Sequence, residues 1–233
     1  VSLLKIIGSG IICFSDLTAI LSKNPLERNE LLGQLRMVYD GKFSKRTGVG
    51  EISWQGKIGM IGACTPDIYY ILETARSMGE RTAYYWLDQP TDAEIIKKQR
   101  TVNMSSREIA EIMHPLYREY IEGVKAFAGD NGIPELSITE EQEDEIAAAS
   151  MFCVSAKATI HLDYKTGKPD ALVSKPGVGR DRKMFQTLLH ALQLMDAYEN
   201  DDVRAVVTAD MIHVVKKCAW SSVSRERRKV LEI

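Results

Sequence analysis

The first ninety residues alternate short apolar runs with amphipathic stretches, which is the pattern of an α/β fold. The runs 11–14 and 58–64 are apolar at consecutive positions, as in strands that are buried on both faces. Segment 24–41 has an apolar face at helical spacing, with proline in its first turn and glycine at its end. Segment 67–78 predicts a further helix, and 82–87 (TAYYWL) predicts another strand.

Two other segments complete the pattern of this half. The polar stretch 42–57 has two arms around a glycine-centred tip, with Phe43 and Trp54 on the arms, and it predicts a β-hairpin. The opening VSLLKIIGSGIICF is apolar but is interrupted by Lys5 and two glycines, and it lacks a small-residue cleavage site. We interpret it as a core strand rather than a signal peptide.

After Pro90 the pattern is helical only, and Thr91–Glu94 and Ser105–Glu108 both fit the capping box. The expected helices lie near 91–101, 105–128, 139–161, 180–198, 208–219 and 222–233. The sequence therefore predicts an α/β part over residues 1–90 with a parallel sheet, followed by an all-helical domain over 91–233.

Composition limits the function classes. The chain has 233 residues, 45% of them hydrophobic and 27% charged, which suits a globular protein with a substantial core. Its net charge of −2 gives no global electrostatic case for nucleic-acid binding, and no apolar run reaches the ~18 residues of a membrane span. The four cysteines are scattered without CxxC spacing, so we expect a reducing cytoplasm. The chain starts with valine in an apolar segment and ends within a helical pattern, so we expect part of a longer protein.

Two polar side chains follow the predicted strands. Asp16 comes just after the strand 11–14, and Thr65 comes just after the strand 58–64 and before Pro66. Ligands of open parallel sheets bind at the carboxyl ends of the strands. An acid at one strand end and a hydroxyl at the next suit a magnesium–phosphate ligand, because the acid holds a hydrated cation and the hydroxyl orients water.

Within residues 11–88 the chain reads LLGQLRMVYDGKFSKRTGVGEISWQGKIGMIGACTPDI, followed by RTAYYWL. In order and spacing, these segments resemble the central part of AAA+ ATPases, closest to enhancer-binding transcription activators and minichromosome-maintenance-type helicases. With SDLTAILS, the stretch also resembles uncharacterised ATP-binding proteins of phages and mobile elements. The resemblance implies ATP and Mg²⁺ as cofactors, a helical lid domain, a homo-oligomer that hydrolyses ATP between subunits, and a role in DNA processing or remodelling.

The resemblance assigns roles to residues of the α/β part. Thr65 takes the sensor-1 position, in contact with the γ-phosphate or its attacking water; alternatively it only caps the following helix. Asp16 takes the place of the Walker B acids and would hold the metal. Those proteins carry two acids there, whereas this chain has one, which favours a rival: a nucleotide-binding scaffold that has lost hydrolysis. Asp16 could also simply begin a turn.

Three arginines complete the implied site. Arg81 aligns with the arginine finger, whose guanidinium stabilises charge on a neighbouring subunit's nucleotide; otherwise it is a surface arginine at a helix end. Arg182 matches the sensor-2 arginine at the start of the lid helix, with Arg180 as a near neighbour. The alternative for these two is an exposed cation pair with Asp181 nearby.

The hairpin is a candidate nucleic-acid contact, as in helicase-type relatives. Four basic side chains, with Phe43 and Trp54 interleaved, would suit single-stranded DNA through phosphate contacts and stacking: Lys42, Lys45, Arg46 and Lys57. Alternatively these cations are only solvated and the aromatic side chains pack inward. A DNA-binding adaptor that acts through this hairpin is the third function that the sequence leaves open.

No GxxxxGK[ST] motif occurs in the 233 residues. In AAA+ order, the strand that carries this loop lies between the sensor-1 strand and the strand after Arg81, which places it upstream of Val1. Without that strand, the remaining strands of the sheet would either leave a gap between them or pair directly with each other.

We predict that these 233 residues alone bind ATP weakly or not at all, because the lysine and the backbone nest that cradle the phosphates are missing. Isothermal titration with ATP and Mg²⁺ measures this directly. Micromolar binding would contradict the prediction.

Overall fold

The computed structural model describes residues 3–48, 50–65, 82–87, 91–101, 104–162, 166, 169–174 and 177–231. The chain divides into two compact units, residues 1–80 and residues 81–233. The fold is mixed α/β, with a small parallel sheet in the first unit and mostly helices in the second.

A parallel strand pair and a hairpin make up the sheets of the first unit. Its elements are α1 (Leu3–Ile7), β1 (Gly10–Phe14), α2 (Thr18–Leu21), α3 (Pro25–Tyr39), β2 (Lys42–Thr47), β3 (Gly50–Gln55) and β4 (Ile58–Gly62). β1 pairs in parallel with β4, and β2 pairs with β3 as an antiparallel hairpin. Both predicted strands, the helix over 24–41 and the hairpin are confirmed, with β4 two residues shorter than expected.

The core of this unit forms around Trp54. Its indole packs with Val38 and Ile58, and its ring N–H donates to the Gly8 carbonyl over 3.0 Å. The opening segment is therefore not one core strand, as we expected. α1 comes first, Gly8 turns the chain with φ of 63°, and only then does β1 begin. Glycine suits this turn because it adopts positive φ without steric cost.

Helices dominate the second unit. Its elements are α4 (Asp92–Thr101), α5 (Ser106–Asn131), α6 (Glu140–Lys157), β5 (Thr159–Leu162), β6 (Pro169–Ser174), α7 (Val178–Asn200), α8 (Ala209–Ser221) and α9 (Arg225–Leu231). Both predicted capping boxes form, at Thr91 and at Ser105. α6, α7 and α8 share a core in which Ile146, Phe185 and Leu189 are fully buried. Among the described helices, none is long and apolar enough to cross a membrane.

The prediction of an all-helical second part is wrong, because β5 and β6 form an antiparallel hairpin. The helix expected over 139–161 ends at Lys157 instead. Arg227 of α9 donates to the carbonyl oxygens of Ala156 and Ala158, over 2.5 and 3.0 Å. A cationic side chain at the last carbonyls satisfies the open end of the helix, so the chain is free to continue as a strand.

The predicted strand over 82–87 is also wrong, since this segment has no regular secondary structure. Its aromatic residues lie against α8 and α9. The Trp86 backbone N–H donates to Ser221 Oγ over 3.0 Å, and the Arg228 guanidinium lies 5.7 Å from the Trp86 ring centroid. Lys217 lies 4.9 Å from the ring centroid of Tyr85. Side-chain contacts with helices take the place of strand pairing, which the apolar pattern alone does not distinguish.

We predict that Phe185→Ala destabilises the second unit by about 3–5 kcal/mol, because it leaves a cavity where α6, α7 and α8 meet. Urea unfolding followed by circular dichroism measures the loss. Lys183→Ala, on the exposed side of the same helix, is the control and is expected to change stability by less than about 0.5 kcal/mol. Equal effects of the two variants would contradict the packing described here.

Candidate functional site

The carboxyl ends of β1 and β4 lie side by side. In the parallel register Phe14 is opposite Gly62. Beyond it, the Ala63 N–H donates to the Phe14 carbonyl over 3.0 Å, and the Leu17 N–H donates to the Ala63 carbonyl over 2.8 Å. The loops that carry Asp16 and Thr65 are thus joined by backbone hydrogen bonds. The structure places both predicted residues on the same edge of the sheet.

The close fit of these loops depends on Gly62. A Cβ at this position would lie 2.2 Å from Leu17 Cδ1, so any larger residue would push Leu17 away. One further contact ties the loops together, because the Thr65 N–H points to Thr18 Oγ1 at 3.5 Å. The role of Thr18 was not predicted from the sequence. Its position two residues after Asp16, in the loop next to Thr65, is the sequence feature that could have indicated it.

Asp16 is exposed and begins a turn. Its Oδ1 accepts the Thr18 N–H over 2.7 Å, and this contact leads into α2. One carboxylate oxygen of Asp16 therefore forms the turn that the sequence left open as an alternative role for this residue. Within the described part of the chain, the second carboxylate oxygen has no hydrogen-bond partner. This second oxygen is accessible to solvent or to a hydrated cation.

Cys64 is an ionisable group close to Asp16 at the carboxyl ends of the two strands. It directly precedes Thr65, and its thiol is half-buried. Burial raises the pKa of Cys64, and the negative charge of Asp16 raises it further. The raised pKa keeps the thiol protonated at neutral pH.

The predicted arginines divide among different parts of the chain. Arg81, together with Pro66 and the predicted helix over 67–78, lies outside the described residues. Arg180 and Arg182 lie in the first turn of α7, in the second unit. The guanidinium of Arg182 is paired with Glu143 of α6. Arg180 is exposed, and no ion pair involves it among the described residues.

The sequence left open that Arg180 and Arg182 form an exposed cation pair with Asp181 nearby, but Asp181 is not exposed. Its side chain is fully buried, and Lys157 Nζ lies 3.5 Å from Oδ1. Burial raises the pKa of Asp181, while the nearby Lys157 opposes that shift. Asp181 thus joins the ends of α6 and α7 inside the fold, and Arg180 and Arg182 on either side of it remain at the surface.

The hairpin does not present its four cations as one patch. Lys42 and Arg46 alternate with Phe43 and Lys45, so the two pairs point to opposite faces. On the inner face, Lys45 Nζ lies 2.8 Å from Glu30 Oε1 of α3, and this contact lowers the pKa of Glu30.

The expected stacking role of the hairpin aromatics is wrong, because Phe43 and Trp54 pack into the core with Val38. Lys57 is exposed and follows the hairpin, just before β4. On the outer face Glu51 lies opposite Arg46 in the register, and its Oε1 accepts the Ser44 hydroxyl over 2.7 Å. DNA contact stays a prediction, now carried by Lys42 and Arg46 without base stacking from these rings.

No group of three or more His, Cys, Asp or Glu side chains in the described ranges is arranged to hold a metal ion. Comparison of the chain with protein-family models, with curated proteins and with solved structures finds no match. The interpretation of the site therefore rests on its residues and geometry.

We predict that Asp16→Asn lowers the pKa of Cys64, although burial keeps it above that of a free thiol. Alkylation of Cys64 by iodoacetamide, followed by peptide mass spectrometry across a pH series, measures this pKa. The variant is expected to react faster at a given alkaline pH below the wild-type pKa.

Asp40→Asn is the matched control, because Asp40 follows α3 and does not act on the Cys64 pKa. An unchanged pH profile in Asp16→Asn would show that the carboxylate is not beside β4.

Proposed function

We propose that this chain is the Walker B-to-lid portion of an AAA+ ATPase, which in its natural protein hydrolyses ATP between the subunits of a homo-oligomer. A role in DNA processing or remodelling for a phage or mobile element belongs to the same proposal. One observation carries it: β1 and β4 are direct parallel neighbours, so that Asp16 and Thr65 leave the sheet on adjacent, hydrogen-bonded loops.

The exposed groups at this edge fit a magnesium–triphosphate ligand. A free carboxylate oxygen on Asp16 is the kind of ligand that Mg²⁺ prefers, and it would hold the cation through water. The bound cation would neutralise charge on the phosphates. The Thr65 hydroxyl lies on the exposed adjacent loop, where it would orient a water molecule.

The proposal requires a phosphate-binding loop from sequence outside these 233 residues. β4 uses one edge for β1, and no strand in the described ranges pairs with its other edge. Parallel strands are normally covered on both faces, yet Ile11 and Ile61 are 59% and 62% exposed. An added parallel strand beside β4, with covering helices, would complete the sheet and bring its loop to the edge that carries Asp16 and Thr65.

The geometry of Asp16 favours one rival. This chain has a single acid at the Walker B position, and one of its oxygens is already engaged by the Thr18 N–H. A site with the metal ligand but without a second carboxylate to polarise water would bind nucleotide without turning it over. The rival is therefore a nucleotide-binding scaffold that has lost hydrolysis.

We predict that Asp16→Asn in the natural gene product that contains these residues lowers ATP turnover by about 10²-fold or more, since it weakens the hold on the cation that neutralises charge on the phosphates. Arg81→Ala is expected to lower turnover by about 10³-fold if its guanidinium acts between subunits. Steady-state phosphate release measures turnover, and fluorescent-nucleotide titration measures binding.

Asp40→Asn and Thr187→Ala are the controls, because both change exposed residues away from the strand ends. Thr187→Ala is the control for Thr65→Ala, which is expected to reduce ATP turnover while leaving the fold intact. Nucleotide binding without turnover in the wild-type protein would favour the scaffold. Turnover that survives all three site substitutions would eliminate the proposed site.

A further inference from the structure

Three consecutive residues, Asp16, Leu17 and Thr18, border the loop that follows β4. The Leu17 backbone N–H donates to the Ala63 carbonyl over 2.8 Å, and the Leu17 side chain occupies the space that a Cβ on Gly62 would need. Thr18 is the first residue of α2, and its side chain is half-buried. These residues therefore form the side of the strand-end site that faces β4.

Thr18 contacts both residues that the sequence predicts for this site. Its backbone N–H donates to Asp16 Oδ1 over 2.7 Å, and its Oγ1 accepts the backbone N–H of Thr65 over 3.5 Å. The first contact has the length of a hydrogen bond to a charged acceptor. The second is longer than a typical N–H···O bond, so it is the weaker of the two.

The weaker contact is nevertheless the last one that holds the loop. Both backbone groups of Ala63 are bonded to residues at the end of β1 and just after it, so the chain is fixed as far as Ala63. Within the described part of the chain, the contact between Thr65 and Thr18 is the one hydrogen bond that either Cys64 or Thr65 makes. The placement of Thr65 therefore depends on the Thr18 hydroxyl.

The two contacts of Thr18 use different parts of the residue. Every residue except proline has a backbone N–H, so the bond to Asp16 does not require a threonine. The bond from the Thr65 loop requires an oxygen on Cβ, which threonine and serine have and valine lacks. Valine keeps the branched shape of threonine. A change from threonine to valine therefore removes the hydroxyl acceptor and leaves the bond to Asp16 in place.

We propose that Thr18 is a positioning residue of the candidate site, whose hydroxyl holds the loop of Thr65 against the turn that carries Asp16. Its consequence for ATP turnover rests on the proposed function, whereas the positioning itself is a property of the fold. The resemblance to AAA+ ATPases assigns no role to this residue.

Cys64 provides a measure of the loop position that does not need a nucleotide. Burial raises the pKa of Cys64, and the negative charge of Asp16 raises it further. The interaction between two charges falls with their distance. The change in the Cys64 pKa on Asp16→Asn therefore measures how close the loop stays to the carboxylate.

The test is a double-mutant cycle on the 233-residue chain. The pKa of Cys64 is measured from the pH dependence of iodoacetamide alkylation, with and without Asp16→Asn, in the wild-type, Thr18→Val and Thr18→Ser backgrounds. We expect Thr18→Val to reduce the effect of Asp16→Asn to about half or less, and Thr18→Ser to keep it, because serine retains the acceptor. Thr187→Val, at an exposed position of α7, is the matched control and is expected to leave the effect unchanged.

Circular dichroism checks that each variant keeps its helix content. Thr18→Ala, which also removes the hydroxyl, takes the place of Thr18→Val if that variant does not fold. An effect of Asp16→Asn that is equal in the wild-type and Thr18→Val backgrounds would overturn the proposal. An equal loss in Thr18→Ser would also overturn it, because the γ-methyl group rather than the hydroxyl would then hold the loop.

ATP turnover by the natural gene product that contains these residues separates this proposal from the proposed function. We expect Thr18→Val to lower kcat about tenfold or more, because a displaced loop misplaces the Thr65 hydroxyl, and Thr18→Ser to restore it. If the wild-type protein turns over no ATP but the cycle depends on Thr18, the proposed function fails and the positioning role stands. A cycle that does not depend on Thr18 rejects the positioning role even where ATP is turned over.

Discussion

Two backbone hydrogen bonds at the end of the β1–β4 pair fix the relative position of the loops that carry Asp16 and Thr65. The first, from Ala63 to Phe14, continues the parallel ladder by one step, and the second, from Leu17 to Ala63, joins the two loops. Without them, Asp16 and Thr65 would be two exposed residues on separate turns. With them, the loops that carry a carboxylate and a hydroxyl have a fixed relation.

Some elements of this fold could be predicted from the sequence, and others could not. The strands at 11–14 and 58–64, the helix ending at Gly41 and the capping box at Ser105 are local patterns, so their positions were predictable. The hairpin of β5 and β6 and the docking of Trp86 on α8 and α9 depend on contacts between distant residues. An apolar run such as TAYYWL carries the same pattern whether it pairs with a strand or packs on helices.

The placement of some candidate site residues was also predictable from the sequence, whereas that of others was not. The order of elements predicted that Asp16 and Thr65 share an edge, because consecutive parallel strands end on the same side. Nothing in the sequence indicated that Asp181 would be buried against Lys157 while Arg182 pairs with Glu143. Of the two candidate arginines, Arg180 is therefore the one whose guanidinium is uncommitted within the described ranges. Choosing between them required side-chain contacts between α6 and α7.

Trp54 has a mechanical consequence for the first unit. Its indole belongs to the hairpin, its ring N–H holds the turn that leads into β1, and its neighbours in the core come from α3 and β4. Lys45 adds a second link between the hairpin and α3. The hairpin is thus fixed to α3, to the turn at Gly8 and to β4 by two of its own side chains. Because the indole is buried among residues of α3 and β4, tilting the hairpin would expose Trp54 to water and break its hydrogen bond to Gly8.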